Sequence, residues 1–163
     1  MQYLYSPWRI DYILGEKPED CVLCRFRQSE ADEENLIIHR GKTAYVMLNR
    51  YPYNNGHLMI VPYEHRSNLN DLSVECLSEI MQLAQVGESV FKEVYHCEGI
   101  NLGMNLGKAA GAGIDAHLHL HIVPRWMGDH NFMSVIGGQR VIPESFEQSY
   151  LRLSKSFKER IAK

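Results

Sequence analysis

The chain predicts an α+β fold with a mostly antiparallel sheet, one long helix and a C-terminal helix. Short apolar segments of strand period lie both before and after a single stretch of helical period. The first two of those segments flank a brief turn, as antiparallel neighbours do. The 163 residues are enough for one domain with a real core. Residues 1–20 read as an N-terminal covering segment and 127–163 as a C-terminal extension.

Taken in order, Met1 to Asp20 is rich in aromatic residues (Tyr3, Tyr5, Trp8, Tyr12) and holds Pro7 and Pro18. It is expected to be irregular and to cover another surface. Gln28 to Glu34 is charged and reads as a turn or exposed loop. Leu36 to His39 and Thr43 to Leu48 form two strands around Arg40-Gly41-Lys42. Asn49 to Gly56 is a loop with Pro52 and an Asn-Asn-Gly turn. His57 to Val61 is a strand stopped by Pro62. From Ser73 to Tyr95 the apolar positions Cys76, Leu77, Ile80, Leu83, Ala84, Val86, Val90, Phe91 and Val94 keep helical spacing, with Ser73 or Asp71 as the cap. Ile100 to Asn105 is a short strand and Gly107 to Gly113 a Gly/Ala loop. Ser145 to Ile161 reads as a terminal helix with Phe146, Tyr150, Leu153 and Phe157 on one side.

The net charge of −3, with acids and bases mixed along the chain, offers no electrostatic attraction to long nucleic acid or an anionic membrane. A small phosphorylated ligand stays open, since local donors hold phosphate without net positive charge. No apolar stretch reaches spanning length and no signal-peptide pattern is present, so the chain reads as cytoplasmic. Of the four cysteines, Cys76 and Cys97 read as packing residues, while Cys21 and Cys24 form a CxxC pair.

The chemistry concentrates in His117-Leu118-His119-Leu120-His121-Ile122-Val123-Pro124. Strict alternation makes this a strand whose leucines and isoleucine face a core and whose histidines line the other face in one row, with Pro124 closing it. Two kinds of chemistry fit that row. A strand HxH with His57 as a third ligand grips zinc and leaves a site for water, as in a metal hydrolase. Against this, no acidic residue stands beside the row as a base. Alternatively His119 attacks phosphorus through one ring nitrogen while the other donates to a carbonyl. His121 and His57 then bind charge on the phosphoryl oxygens, and the backbone of Asn105-Leu106-Gly107-Lys108-Ala109-Ala110-Gly111 approaches phosphate closely. His39, His96 and His130 join no constellation and read as surface or packing residues.

The histidine run resembles the motif of the histidine triad superfamily. Leu48-Asn49-Arg50-Tyr51-Pro52 through Gly56-His57-Leu58-Met59-Ile60-Val61-Pro62 resembles that superfamily's upstream segment, and Asn105-Leu106-Gly107 with Ala110-Gly111 its phosphate loop. The likeness spans roughly residues 21 to 126. Ser6-Pro7-Trp8-Arg9, Pro124-Arg125-Trp126, Gly128-Asp129, Asn131-Phe132-Met133 and Val141-Ile142-Pro143-Glu144 resemble a prokaryotic branch related to diadenosine tetraphosphate phosphorylase and the fragile histidine triad hydrolases. The resemblance implies the histidine triad fold, a homodimer with one sheet across two subunits, and nucleotidyl transfer or hydrolysis at the α-phosphate of a dinucleoside polyphosphate. It implies His119 as nucleophile, His57 and His121 as its phosphate-binding partners, Asn49 on ribose, and Asn105 with Gly107 and Gly111 on phosphate. The dinucleoside triphosphate hydrolases carry Gln where Asn105 stands, so their substrate preference does not transfer. The uridylyltransferases end the motif in Gln where His121 stands, which argues against hexose-phosphate uridylyl transfer. A nucleoside phosphoramidate or adenylate hydrolase, a low-turnover nucleotide-binding module and the zinc-dependent hydrolase stay as alternatives.

Cys21 and Cys24 have three readings: a redox pair, for which no βαβ unit is evident; two idle thiols; or half of a zinc site. In zinc-bearing members of the resembled family, positions matching His65 and His117 supply the other two ligands. That set would hold one closed, structural ion and pin the start of the histidine strand.

Overall fold

The computed structural model describes residues 20–129 and 142–162. The expectations for residues 1–19, for His130, for Asn131-Phe132-Met133 and for Val141 fall outside these residues. Five strands, β1 (Ile37–Arg40), β2 (Ala44–Leu48), β3 (Leu58–Pro62), β4 (Gly99–Met104) and β5 (Leu120–Arg125), form one sheet in the order β1-β2-β3-β5-β4. Every neighbouring pair is antiparallel. Helix α1 (Val22–Gln28) precedes the sheet, the long helix α2 (Val74–Tyr95) connects β3 to β4, and α3 (Phe146–Ile161) ends the chain. This is the expected α+β class. Among the described residues no helix is long and apolar enough to cross a membrane.

Period-two alternation separates the sheet's two faces. Leu58, Ile60, Leu120 and Ile122 join the larger core, closed by Ile80, Leu83 and Phe91 of α2 and Leu153 and Phe157 of α3. Met59 and Val61 face the other way, into a smaller core with Leu23 of α1, Ile37, Tyr45 and Met47. His57, His119 and His121 share that second parity. Helix α2 begins at Ser73, whose hydroxyl accepts from the Cys76 amide at 3.1 Å, and ends at His96 in the left-handed conformation with φ 47°. It lies close on β5, since a Cβ at Gly87 would sit 3.2 Å from Ile122 Cδ1. Helix α3 opens with a capping box between Ser145 and Gln148.

Three expectations are corrected. Pro124 does not close the histidine strand: it pairs opposite Ile100, and β5 runs on to Arg125. The ladder begins only at Leu120, so His117 and His119 enter the strand rather than belong to its paired part. Helix α1 was not expected, because its seven residues carry no side-chain cap at Cys21. Its C-terminal end is closed from outside, by Arg40 donating to the carbonyls of Phe26 (3.1 Å), Arg27 (2.9 Å) and Ser29 (2.6 Å).

Candidate active site and metal centre

Strands β3 and β5 are neighbours, with Met59 opposite His121. That register sets His57, at the entry to β3, beside His121. The Nε2 of His57 lies 2.9 Å from Nδ1 of His121. Protons can be assigned from partners with a single role. The Tyr53 backbone N–H reaches His57 Nδ1 at 3.0 Å, so this nitrogen accepts. His57 therefore carries its hydrogen on Nε2 and donates to His121 Nδ1, which leaves the hydrogen of His121 on its own Nε2. The carbonyl of His117 can only accept, so His119 donates to it from Nδ1 at 2.9 Å and keeps its lone pair on Nε2. The rings of His119 and His121 meet edge to face at 4.7 Å.

Burial keeps this group uncharged. Desolvation, reinforced by the neighbouring imidazoles, lowers His57 to about 3 and His121 to about 4. It also lowers His119, against the bond to the His117 carbonyl. With 0% exposure and both ring nitrogens engaged, His57 reaches a ligand only through His121. The expectation that His57 itself meets phosphoryl oxygens gives way to a relay, Tyr53 N–H to His57 to His121, that aims the His121 Nε2–H. The ring of Tyr53 covers this pair, 4.6 Å from His57 and 5.5 Å from His121. Sequence reading missed Tyr53 because its contribution is a backbone amide in a loop; an aromatic residue four positions before the strand histidine was the available signal.

Asn49 is buried; its Oδ1 accepts from the Tyr51 amide at 2.9 Å and its Nδ2 lies 3.3 Å from His57 Nδ1. Asn105 leaves β4 directly beyond the Met104–Leu120 pair, in line with His119. Gly107 and Gly111 bracket a short 3₁₀ turn with φ of 79° and 83°. A Cβ at either would meet nothing within 4 Å, so they are glycines for backbone conformation rather than for space.

On the far side of His117 lies a second constellation. The Pro62 carbonyl accepts from His117 Nε2 at 2.9 Å, which leaves the Nδ1 lone pair facing Cys21 Sγ (3.4 Å) and Cys24 Sγ (3.5 Å). His65 Nδ1 stands 3.3 Å from Cys24 Sγ. All four ligand atoms lie within 4.8 Å of one another, and this is the one group of three or more His, Cys, Asp or Glu residues among the described residues disposed to hold a metal. Tetrahedral zinc with bonds of about 2.3 Å to sulfur and about 2.0–2.1 Å to nitrogen requires sulfur–nitrogen edges of about 3.6 Å. The observed spacings fit that ion. Without a cation, burial and the neighbouring Cys21 raise the Cys24 thiol; a bound divalent ion would reverse this. Four protein donors leave no position for a reacting water. His57 has both ring nitrogens engaged, and with His119 and His121 it forms no such metal-holding group among the described residues, which disfavours the zinc-hydrolase reading of the histidine row.

Residues 30–127 match the HIT domain family. The chain is 43% identical to a Mycobacterium tuberculosis protein named AP-4-A phosphorylase, over 88% of this chain and 78% of that one. It is 28% identical to adenosine 5'-monophosphoramidase of Saccharomyces cerevisiae, over 88% of this chain and 82% of that one. A Zn-bound histidine triad family protein from Mycobacterium smegmatis superposes with a TM-score of 0.71 at 27% identity, over 88% of this chain and 96% of that one. By the family match over residues 30–127 and the 43% identical relative, the chain belongs to the HIT domain family.

Proposed function

We propose that the protein transfers or hydrolyses a nucleotidyl group at the α-phosphate of dinucleoside polyphosphates of the diadenosine tetraphosphate type. The observation that carries this is the fixed tautomer of His119. With Nδ1–H held by the His117 carbonyl, the Nε2 lone pair is ready to attack. A bond forms between Nε2 and the α-phosphorus as the bridging P–O bond breaks, and the polyphosphate leaves with that electron pair. The His121 Nε2–H, aimed through His57, meets the charge that grows on the non-bridging oxygens. Asn105 and the amides between Gly107 and Gly111 hold phosphate, and Asn49 holds ribose. Phosphate or water then attacks the nucleotidyl-histidine and restores the neutral imidazole.

Zinc is proposed at Cys21, Cys24, His65 and His117, where it would supply a structural tie. This rests on the donor set and its spacings, and agrees with the metal carried by the mycobacterial structural relative. A homodimer is proposed through β4, which closes one side of the sheet and leaves Leu102 51% exposed. A cytoplasmic setting would keep the free thiols of Cys21 and Cys24 available to metal.

The test is incubation with diadenosine tetraphosphate, with and without phosphate. ADP plus ATP means phosphorolysis and AMP plus ATP means asymmetric hydrolysis; no conversion of any dinucleoside polyphosphate would overturn the proposal. A phosphoramidase reading is favoured by the yeast relative's name, and faster turnover of adenosine 5'-phosphoramidate than of dinucleoside polyphosphates would select it.

A further inference from the structure

Glu144 lies outside the matched region 30–127, yet it is tied to the loop that supports His57. Its side chain is 10% exposed, with Oε1 3.2 Å from Arg152. Its Oε2 accepts from the hydroxyls of Tyr95 and Ser149, each at 2.7 Å, and from the Asn55 side-chain amide at 3.2 Å. Burial opposes its ionisation, but the hydrogen bonds from Tyr95, Ser149 and Asn55 win and hold it below the usual carboxylate range. It is therefore a charged acceptor at neutral pH.

Both of its long-range donors bear on one turn. Tyr95 ends α2 and presses on Gly56: a Cβ there would sit 2.5 Å from the Tyr95 ring, and φ is +73°. Asn55 is the preceding residue of that turn. Asn54 completes the hold, donating to the Pro124 carbonyl and to Asp129 Oδ2, each at 3.0 Å. The C-terminal segment, the end of α2 and the end of β5 thus fix residues 54–56 from three directions. This turn delivers the Tyr53 amide to His57 Nδ1 at 3.0 Å, and the His57 amide to the Asn54 carbonyl at 3.2 Å. A role confined to anchoring α3 is a poorer account. That helix has its own capping box, and its Leu153 and Phe157 are fully buried in the core.

We infer that Glu144 is a positioning residue for the reaction: by holding Asn55 and Tyr95 it keeps the Tyr53 amide aimed at His57 Nδ1, so that His57 stays in the tautomer that donates to His121. The C-terminal extension is then part of the catalytic apparatus without touching substrate. This rests on the nucleotidyl-transfer reading above, and the experiment separates the two.

Wild-type protein is compared with Glu144→Ala, Glu144→Gln, Asn55→Ala and Leu153→Val. Asn55→Ala breaks the same link while leaving Glu144 its other partners, which guards against a folding defect in Glu144→Ala. Leu153→Val loosens α3 in the core, away from the loop. Imidazole ¹⁵N spectra read the His57 tautomer, and kcat and KM are taken with diadenosine tetraphosphate. Glu144→Ala and Asn55→Ala are expected to convert His57 to a tautomer mixture and to lower kcat about 10-fold to 100-fold, with KM little changed. Glu144→Gln keeps an oxygen toward Asn55 and should recover most of both signals. Leu153→Val should lower Tm and leave kcat and tautomer as they are. A single Nε2–H tautomer with wild-type kcat in Glu144→Ala and Asn55→Ala would overturn the inference, as would an equal kcat loss in Leu153→Val. If wild-type protein leaves diadenosine tetraphosphate intact, the functional reading fails, while the tautomer still decides the positioning claim.

Discussion

A histidine attacks only through the ring nitrogen that its neighbours leave without a proton. In this chain backbone groups make that choice: a carbonyl holds Nδ1–H of His119, and an amide denies Nδ1–H to His57. The His57 assignment passes to the next ring, so His121 presents a hydrogen where His119 presents a lone pair. Asn49 works beside them. Its Nδ2 carries two hydrogens, and the approach to His57 uses one. Asn49→Ala is expected to weaken nucleotide binding by about 1–2 kcal/mol and to shrink the preference for ribose over deoxyribose. Calorimetric titration with AMP and its deoxy counterpart checks this; equal losses for both sugars would confine Asn49 to holding its loop.

Two strand entries bring the histidines together, and their burial gives the fold a pH dependence with a definite sign. His57 and His121 are lowered to about 3 and about 4, below the unfolded value of about 6.5. Between those limits the unfolded chain binds more protons than the folded one. Their contribution is full above pH about 6.5 and is lost as pH falls toward 4, at up to about 1.4 kcal/mol per pH unit for each histidine. Denaturant midpoints measured from pH 7 to 5 should fall more steeply for wild type than for His121→Gln; parallel slopes would contradict the burial argument. The β elements were legible because alternation survives wherever a strand divides a core from a site, as in Leu118, Leu120 and Ile122 against His117, His119 and His121. The true end of β5 was not, because β4 pairs past Pro124. Nor was α1, whose last carbonyls are satisfied by Arg40 at the end of β1. The backbone contribution of Tyr53 and the proposed role of Glu144 escaped the sequence for a related reason: both depend on partners that the fold alone brings near.

Across the whole molecule, the proposed zinc joins α1, the segment after β3 and the entry to β5, adding to the Arg27–Tyr63 and Leu118–Arg66 hydrogen bonds between them. Removing it should loosen the start of α1 around Cys21 and Cys24 and lower Tm first, with the intrinsic rate falling only as His117 loosens its hold on His119. Metal analysis should find one zinc per chain. No bound zinc together with freely titratable Cys21 and Cys24, or activity that dies before Tm moves, would contradict a structural ion. The proposed chemistry is covalent and sits at one imidazole, and rapid acid-free quenching of a single turnover of diadenosine tetraphosphate, followed by peptide mass analysis, shows whether it occurs there. The expected result is one nucleotidyl group on the peptide bearing His119, attached at Nε2, and absent from a folded His119→Ala protein whose turnover has dropped on the order of 10⁴-fold or more. A nucleotidyl group on another residue, or undiminished turnover by His119→Ala, would contradict the account.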